Sequence, residues 1–166
     1  MYNNMKMLSA TIAMLSIGGC QAFAPADYSA LKSAVNSCFS GPSHMGDGSA
    51  CDSGSYGPFE TWDVSLITDM HDLFRDKPEF NRDISSWDVS KVTDMNHMFY
   101  NNRNFNQDIS GWVTSSVTNI ERMFQGCQNF DQDLGNWDTS KVTNIMYAFA
   151  GDLEPGQIGN WDVSKV

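Results

Sequence analysis

The sequence predicts an α/β repeat fold, a right-handed solenoid in which each 25-residue repeat supplies one short helix and one short strand. The first observation is the regular spacing of the tryptophans, which stand at Trp62, Trp87, Trp112, Trp137 and Trp161. The second is that the apolar residues between the tryptophans recur at the same interval. The third is that each repeat contains one stretch with helical spacing of apolar residues and one short stretch without it. Because neither a short helix nor a short strand buries its own apolar face, the repeats must stack to form a core.

One stretch of each repeat has helical spacing. In the second repeat its apolar residues lie at positions i, i+3, i+6 and i+7, namely Val92, Met95, Met98 and Phe99. Such a stripe is typical of one or two helical turns. Thr93 is placed to cap this turn, and Thr118 and Glu121 form a capping-box pair in the third repeat. We therefore predict a short helix in each repeat.

A second stretch, residues 105–109 of the second repeat, is bounded by Ser and Gly and is interpreted as a short strand. Residues one and three positions after its phenylalanine lie on the same side of a strand. In three repeats these positions are polar, and we call them the strand-side row: Asn81, Asp83, Asn106, Asp108, Asp131 and Asp133. Their polarity predicts a solvent-facing contact surface that favours a basic ligand. The alternative is that these residues hydrogen-bond between repeats.

The tryptophans are predicted to form a buried ladder, because a stacked core needs one large apolar residue at the same place in each repeat. An exposed row that binds carbohydrate is the alternative. Other positions, predicted to face outward, differ from repeat to repeat, and they include His71, Asp72, His97, Tyr100, Arg103, Arg122, Gln125 and Tyr147. Tyrosine and arginine are favoured anchors at protein interfaces.

Residues 1–24 have the features of a signal peptide. Lys6 precedes an uncharged stretch over residues 7–19, and Ala22-Phe23-Ala24 fits a cleavage site. The stretch is too short for a membrane-spanning helix, which needs roughly 20 residues. Secretion is the first interpretation. A lipid anchor at Cys20 is an alternative, and so is plastid import, because the segment up to Pro25 resembles an Ala-Phe-Ala-Pro presequence junction.

The remaining chain divides at Trp62. Residues 25–61 are predicted to be an N-terminal cap, in which one helix face carries Tyr28, Leu31, Val35 and Cys38. Residues 62–166 hold about four and a half repeats. We interpret the partial last repeat as a C-terminal truncation; the alternative is an end that associates with another copy of the chain.

Cys38 and Cys51 bracket a segment rich in Gly and Ser. In an oxidising compartment they are expected to form a disulfide that joins the cap helix to the first repeat. Closing such a loop stabilises a fold by about 3 kcal/mol in the chain-entropy model. A reducing compartment would leave two thiols instead.

The repeat WDVSKVTDMNHMFYNNRNFNQDIS, residues 87–110, closely resembles the repeat of the BspA-like leucine-rich-repeat surface proteins. The resemblance extends from Trp62 to Val166 and recurs in each repeat. It implies a leucine-rich-repeat solenoid and, for parts of that family, adhesion to host or matrix proteins.

The net charge of the chain and the motifs that it lacks argue against several classes of function. Ten Lys and Arg against 20 Asp and Glu give a net charge of −10, which disfavours nucleic acid and anionic membranes. The chain has no P-loop, G-x-S-x-G or G-x-G-x-x-G motif, and identical carboxylates in a ladder lack the asymmetry that catalysis needs. We predict no enzymatic activity, no cofactor and no metal site. Calcium binding by the acidic ladders stays open, although calcium loops gather their oxygens from one compact segment.

The sequence thus predicts an extracellular or surface-exposed module for binding or adhesion to a protein or a glycan. One alternative is a structural wall or matrix component that assembles end to end. Another is ice or mineral binding, for which one threonine in each repeat would have to form the contact row.

Overall fold

The computed structural model describes residues 22–39, 46–52, 55–150 and 158–166. One α-helix, α1, spans Tyr28–Cys38, and 3-10 turns span Ser49–Cys51 and Phe59–Thr61. Successive repeats are joined by single parallel β-bridges, Asp69–Asp94, Asp94–Asn119 and Asn119–Asn144. Most of the predicted signal peptide, with Cys20, and the irregular fourth repeat at residues 151–157 lie outside the described residues.

The predicted α/β repeat solenoid is wrong. Within the described ranges, no repeat contains an α-helix and no residue belongs to a β-strand. Each repeat is a rung of turns and extended backbone that lies against the next rung.

The backbone of the predicted helical stretch explains the absence of a helix. His97 and Asn101 have positive φ angles of 54° and 60°, outside the right-handed helical region. The N–H of Phe99, between them, donates to the carbonyl of Met123 in the next rung at 3.0 Å. Since alternate N–H groups bond across rungs, the i to i−4 bonds of a helix do not form. Thr93 does not cap a helix either: its Oγ1 donates to the carbonyl of Thr68 in the preceding rung.

The predicted strand at residues 105–109 is also absent. The N–H of Asn106 donates to the side-chain Oδ1 of Asn81 at 2.9 Å, and not to a backbone carbonyl. Asp131 repeats this bond with Asn106, also at 2.9 Å. The oxygen of a side-chain amide thus accepts the hydrogen bond that a backbone carbonyl of the neighbouring strand would accept in a sheet.

The core consists of side chains that recur at the same place in every rung. The rings of Phe74, Phe99 and Phe124 stack with centroids 5.7 Å apart, and all three are buried. Centroids of neighbouring tryptophan rings are 6.3 Å apart for Trp112 and Trp137. The prediction that the repeat tryptophans are buried is confirmed for Trp62, Trp87, Trp112 and Trp137, each of which is at most 4% exposed.

Each buried indole also has a hydrogen-bond partner. Trp112 Nε1 donates to the carbonyl of Ile84 at 3.2 Å, and Trp137 Nε1 donates to the carbonyl of Ile109 at 3.1 Å. Both acceptors precede the donor by 28 residues and belong to the previous rung. The tryptophans therefore link rungs through a polar bond as well as through apolar contact.

The helix predicted in the N-terminal segment is present as α1. Asp27 caps it, because its Oδ1 accepts the N–H of Ala30 at 2.9 Å. Its buried face contains Leu31, Ala34, Val35 and Cys38. No helix among the described residues is long and apolar enough to cross a membrane.

The rungs are joined by a directional set of backbone bonds. Asp72 N–H donates to the carbonyl of Asn96, and Phe74 N–H donates to the carbonyl of Met98, both at 2.9 Å. At these turn positions, donors in one rung thus face carbonyls in the next rung along the chain, whereas the N–H of Thr93 donates in the opposite direction, to the carbonyl of Thr68. The equivalent carbonyls of the first rung have no earlier repeat to supply their donors.

Side chains of α1 supply two of these donors. Tyr28 Oη donates to the carbonyl of His71 at 2.7 Å. Lys32 Nζ donates to the carbonyl of Leu73 at 3.2 Å. His71 and Leu73 stand 25 residues before Asn96 and Met98, so α1 satisfies the same carbonyl positions that a preceding rung would satisfy.

Candidate recognition surface

The carboxylates of the strand-side row form short local bonds. Asp83 Oδ1 accepts the N–H and the Oγ of Ser85 at 2.9 and 2.7 Å. Asp108 makes the same two bonds with Ser110. These bonds, first those from the serine hydroxyls and then those from the backbone, hold the pKa of both carboxyls below the usual range. Asp133 accepts the N–H two residues ahead of it, at 2.8 Å.

The amides of the same row link rungs. Asn81 Oδ1 accepts the Nε2 of Gln107 at 2.8 Å as well as the backbone N–H of Asn106. Asn106 Oδ1 accepts the Nε2 of Gln132 at 2.7 Å in the next rung. The row lies at the surface as the sequence predicted, and every member except Asn106 is exposed. Its hydrogen bonds, however, fit the alternative interpretation, in which the row joins repeats and closes turns.

The aspartates that follow the tryptophans are also turn residues. Asp63, Asp88 and Asp138 each accept the backbone N–H of the serine two residues ahead, at 3.0 Å. Such Asx turns account for an aspartate at this position of the repeat. Within the described part of the chain, no group of three or more His, Cys, Asp or Glu side chains is placed to hold a metal ion.

A second surface runs along the turns between the β-bridges and the second phenylalanine of each repeat. We call it the turn face, and its partly or fully exposed side chains are His71, Asp72, Arg75, Asn96, His97, Tyr100, Glu121, Arg122, Gln125, Met146 and Tyr147. Seven of these are among the variable outward positions predicted from the sequence. Arg75, Asn96, Glu121 and Met146 are additions from the structure.

Two arginine–tyrosine pairs hold side chains of the turn face in place. The guanidinium of Arg75 lies 5.1 Å from the ring centroid of Tyr100, and that of Arg122 lies 5.0 Å from the ring of Tyr147. Each pair joins neighbouring rungs, because its members are 25 residues apart. Cation–π contacts at such exposed sites contribute about 0.5–1 kcal/mol. They hold long side chains that would otherwise sample many rotamers.

The first rung of the turn face continues into α1. The ring of Tyr28 stacks on His71 at 4.5 Å, and His71 Nδ1 lies 2.8 Å from Asp69 Oδ1. Burial, followed by the nearby Asp72 and Asp69 carboxylates, raises the pKa of Tyr28 to about 12. The hydroxyl of Tyr28 therefore stays protonated, and can donate to the first rung, up to a higher pH than an ordinary tyrosine.

Cys38, at the end of α1, lies at bonding distance from Cys51, with Cα atoms 4.9 Å apart. This Cα distance lies within the range of about 4.4–6.8 Å that disulfides have. Both side chains are buried. The pair places the end of α1 beside the 3-10 turn at Ser49–Cys51.

The family model described as "Mycoplasma protein of unknown function, DUF285" matches residues 49–155. The chain belongs to the DUF285 family. The match covers the first three rungs and most of the fourth, and therefore the strand-side row and the turn face, while α1 lies before it. Neither the curated proteins nor the solved structures that were searched gave a match to this DUF285 chain.

Proposed function

We propose that this DUF285 protein is one of the BspA-like surface repeat proteins and that it binds a protein partner outside the cell through the turn face. The observation that carries the proposal is a contrast between adjacent positions. Phe74, Phe99 and Phe124 repeat without change and are buried. The positions just after them carry different side chains in successive rungs: Arg75, Tyr100, Gln125 and Ala150. A stack whose buried residues are constant while its exposed residues differ from rung to rung is suited to recognising a partner.

The chemistry of the turn face favours a protein as the partner. Tyrosine and arginine are over-represented among the residues that dominate binding energy at protein interfaces. Tyr147 and Met146 are 56% and 50% exposed, which is high for large side chains. Because Arg122 lies over the ring of Tyr147, less side-chain entropy is lost when a partner orders this pair.

Charge and cysteines add to the proposal. A net charge of −10 favours a partner with a basic surface and predicts association that weakens as salt increases. The close approach of Cys38 and Cys51 is suited to an oxidising compartment such as the cell exterior. Enzymatic activity has no motif to support it and is not proposed.

Binding measurements on surface variants test this proposal. The folded protein would be passed over an array of purified extracellular matrix proteins, and dissociation constants measured for each protein that binds. Tyr100→Ser combined with Tyr147→Ser should weaken binding by about tenfold or more, as expected for loss of interface anchors. The matched control, Asp108→Asn with Asp133→Asn, changes the strand-side row and should leave the affinity within about twofold.

The reverse result would refute the proposal. If the strand-side variant loses binding at an unchanged melting temperature while the turn-face variant keeps it, the contact surface is the strand-side row. Binding that neither pair of substitutions alters would place the contact elsewhere on the chain.

A further inference from the structure

An open groove of about 470 Å³, with about as much apolar as polar lining, crosses three rungs beside the turn face. It is lined by Asp76, Pro78, Asn101, Arg103, Gly126 and Gln128. These residues form two parallel rows at 25-residue spacing, one with Asp, Asn and Gly and one with Pro, Arg and Gln. None of them belongs to the strand-side row.

The first row has a backbone conformation that few residues tolerate. Asp76, Asn101 and Gly126 have positive φ angles of 56°, 60° and 83°. Asn101 Nδ2 donates to Asp76 Oδ1 at 2.7 Å, so the amide of one rung lies along the carboxylate of the previous rung. A Cβ on residue 126 would lie 2.8 Å from Asn101 Oδ1. Glycine at this position therefore leaves room for the asparagine side chain and keeps the groove open.

The second row rests on backbone bonds between rungs. The carbonyl of Pro78 accepts the N–H of Asn104, and the carbonyl of Arg103 accepts the N–H of Asn129, both at 3.0 Å. Both walls of the groove are thus fixed by the stack itself. The backbone that carries these side chains is therefore ordered before a ligand arrives.

The charges of the groove nearly cancel. Asp76 and Arg103 are the two charged residues in the lining, and they have opposite signs. The Asp76 carboxylate has a further partner in Arg75, whose Nε lies 3.4 Å from its Oδ2. An anionic ligand would meet this carboxylate, and a cationic ligand would meet the arginines. The balance favours a ligand without net charge.

The hydrogen-bonding groups of the groove include every type that a hydroxyl requires. A carboxylate only accepts, a guanidinium only donates, and the amides of Asn101 and Gln128 do both. Vicinal hydroxyls of a sugar act as donors and acceptors at once, and the ring of Pro78 offers an apolar surface to the C–H groups of a pyranose. We propose that this groove is a binding subsite for a neutral glycan, separate from the protein-binding turn face.

Titration with defined sugars tests this inference. The probes are neutral tri- and tetrasaccharides of glucose, mannose and galactose, with sialylated and sulfated oligosaccharides for comparison, and binding is followed by saturation-transfer NMR. At least one neutral oligosaccharide should bind in preference to the charged ones. Asp76→Asn, which keeps the shape of the side chain, and Asn101→Gly, which tolerates the positive φ, should each weaken binding about tenfold, as loss of a charge-assisted or paired hydrogen bond predicts.

The chain offers a closely matched control. Asn104 Nδ2 donates to Glu79 Oε2 at 2.7 Å across the same 25 residues, but neither residue lines the groove. Asn104→Ala should therefore leave sugar affinity unchanged. Absence of binding by every neutral oligosaccharide would overturn the inference, as would stronger binding of the charged ones or equal affinity in all variants. The turn-face proposal stands or fails separately, because protein binding is predicted to depend on Tyr147 and sugar binding is not.

Discussion

Replacing Phe99 with alanine removes a ring from the centre of the core. The ring is fully buried and stacks on Phe105 at 4.0 Å and on Phe74 and Phe124 at 5.7 Å. The neighbouring rings are themselves held between other side chains, so they have little freedom to fill the cavity. A substitution of this kind costs about 3–5 kcal/mol, and limited relaxation places it near 4 kcal/mol or above.

Tyr100→Ala, one residue along, is the matched comparison. Tyr100 is partly exposed, and the described interactions of its side chain are the cation–π contact with Arg75 and a ring contact with His97 at 5.5 Å. Its loss should cost about 1 kcal/mol, which is the upper end for an exposed cation–π pair.

Urea denaturation followed by tryptophan fluorescence distinguishes the two variants. With an m value of about 2 kcal/mol/M, Phe99→Ala should lower the midpoint by about 2 M and Tyr100→Ala by about 0.5 M. Similar shifts for both would show that the stack does not bury Phe99 more than Tyr100. A changed m value would instead indicate that the rungs no longer unfold as one unit.

Three further predictions concern α1, the cysteines and the strand-side row. Burial, and then the charge of a nearby lysine, lowers the pKa of Lys32 from 10.5 to about 8. Between pH 8 and 10 the unfolded chain therefore holds a proton that the folded chain has lost, and the free energy of unfolding should rise with pH. Lys32→Met should flatten this rise in melts at several pH values, and an unchanged slope would contradict the burial of the amine. Mass spectrometry of exported protein without reductant should find Cys38 and Cys51 linked, and alkylation of both thiols would count against this. Asn106→Ala should lower stability by about 1 kcal/mol, because it removes the side-chain acceptor of a backbone N–H in the next rung. Asp108→Asn should cost less than about 0.5 kcal/mol in the same calorimetric scan.

The sequence was sufficient to predict which side chains form the core. Burial of Trp87, Trp112 and Trp137 follows from periodic spacing alone, because a stack must bury the same position in each repeat whatever path its backbone takes. The helix α1 was equally predictable, since Leu31, Val35 and Cys38 mark one face and Asp27 is a good cap.

The secondary structure of the repeats was predicted incorrectly because its hydrogen bonds are not local. Spacing of Met95 and Phe99 within one repeat fits a helix, but their N–H groups donate to carbonyls in the next rung. Asn101 and Gly126 at equivalent positions were an available signal, since both residue types tolerate positive φ.

The candidate surfaces were predictable only in part. Polarity correctly placed Asn81 and Asp83 at the surface, but it carried no information about their bonds to neighbouring backbone and side chains. The pairing of Arg75 with Tyr100 depends on stacking two residues 25 positions apart. The groove beside Asp76 depends on three rungs together and cannot be recognised in one repeat.

Site-specific photo-cross-linking tests the recognition proposal most directly. A benzophenone amino acid would replace Tyr100 or Tyr147 on the turn face, or Asp108 on the strand-side row, and each protein would be irradiated with a bound matrix protein. We predict cross-links from positions 100 and 147 and none above background from position 108. Cross-linking from position 108 with none from the two turn-face positions would contradict the account.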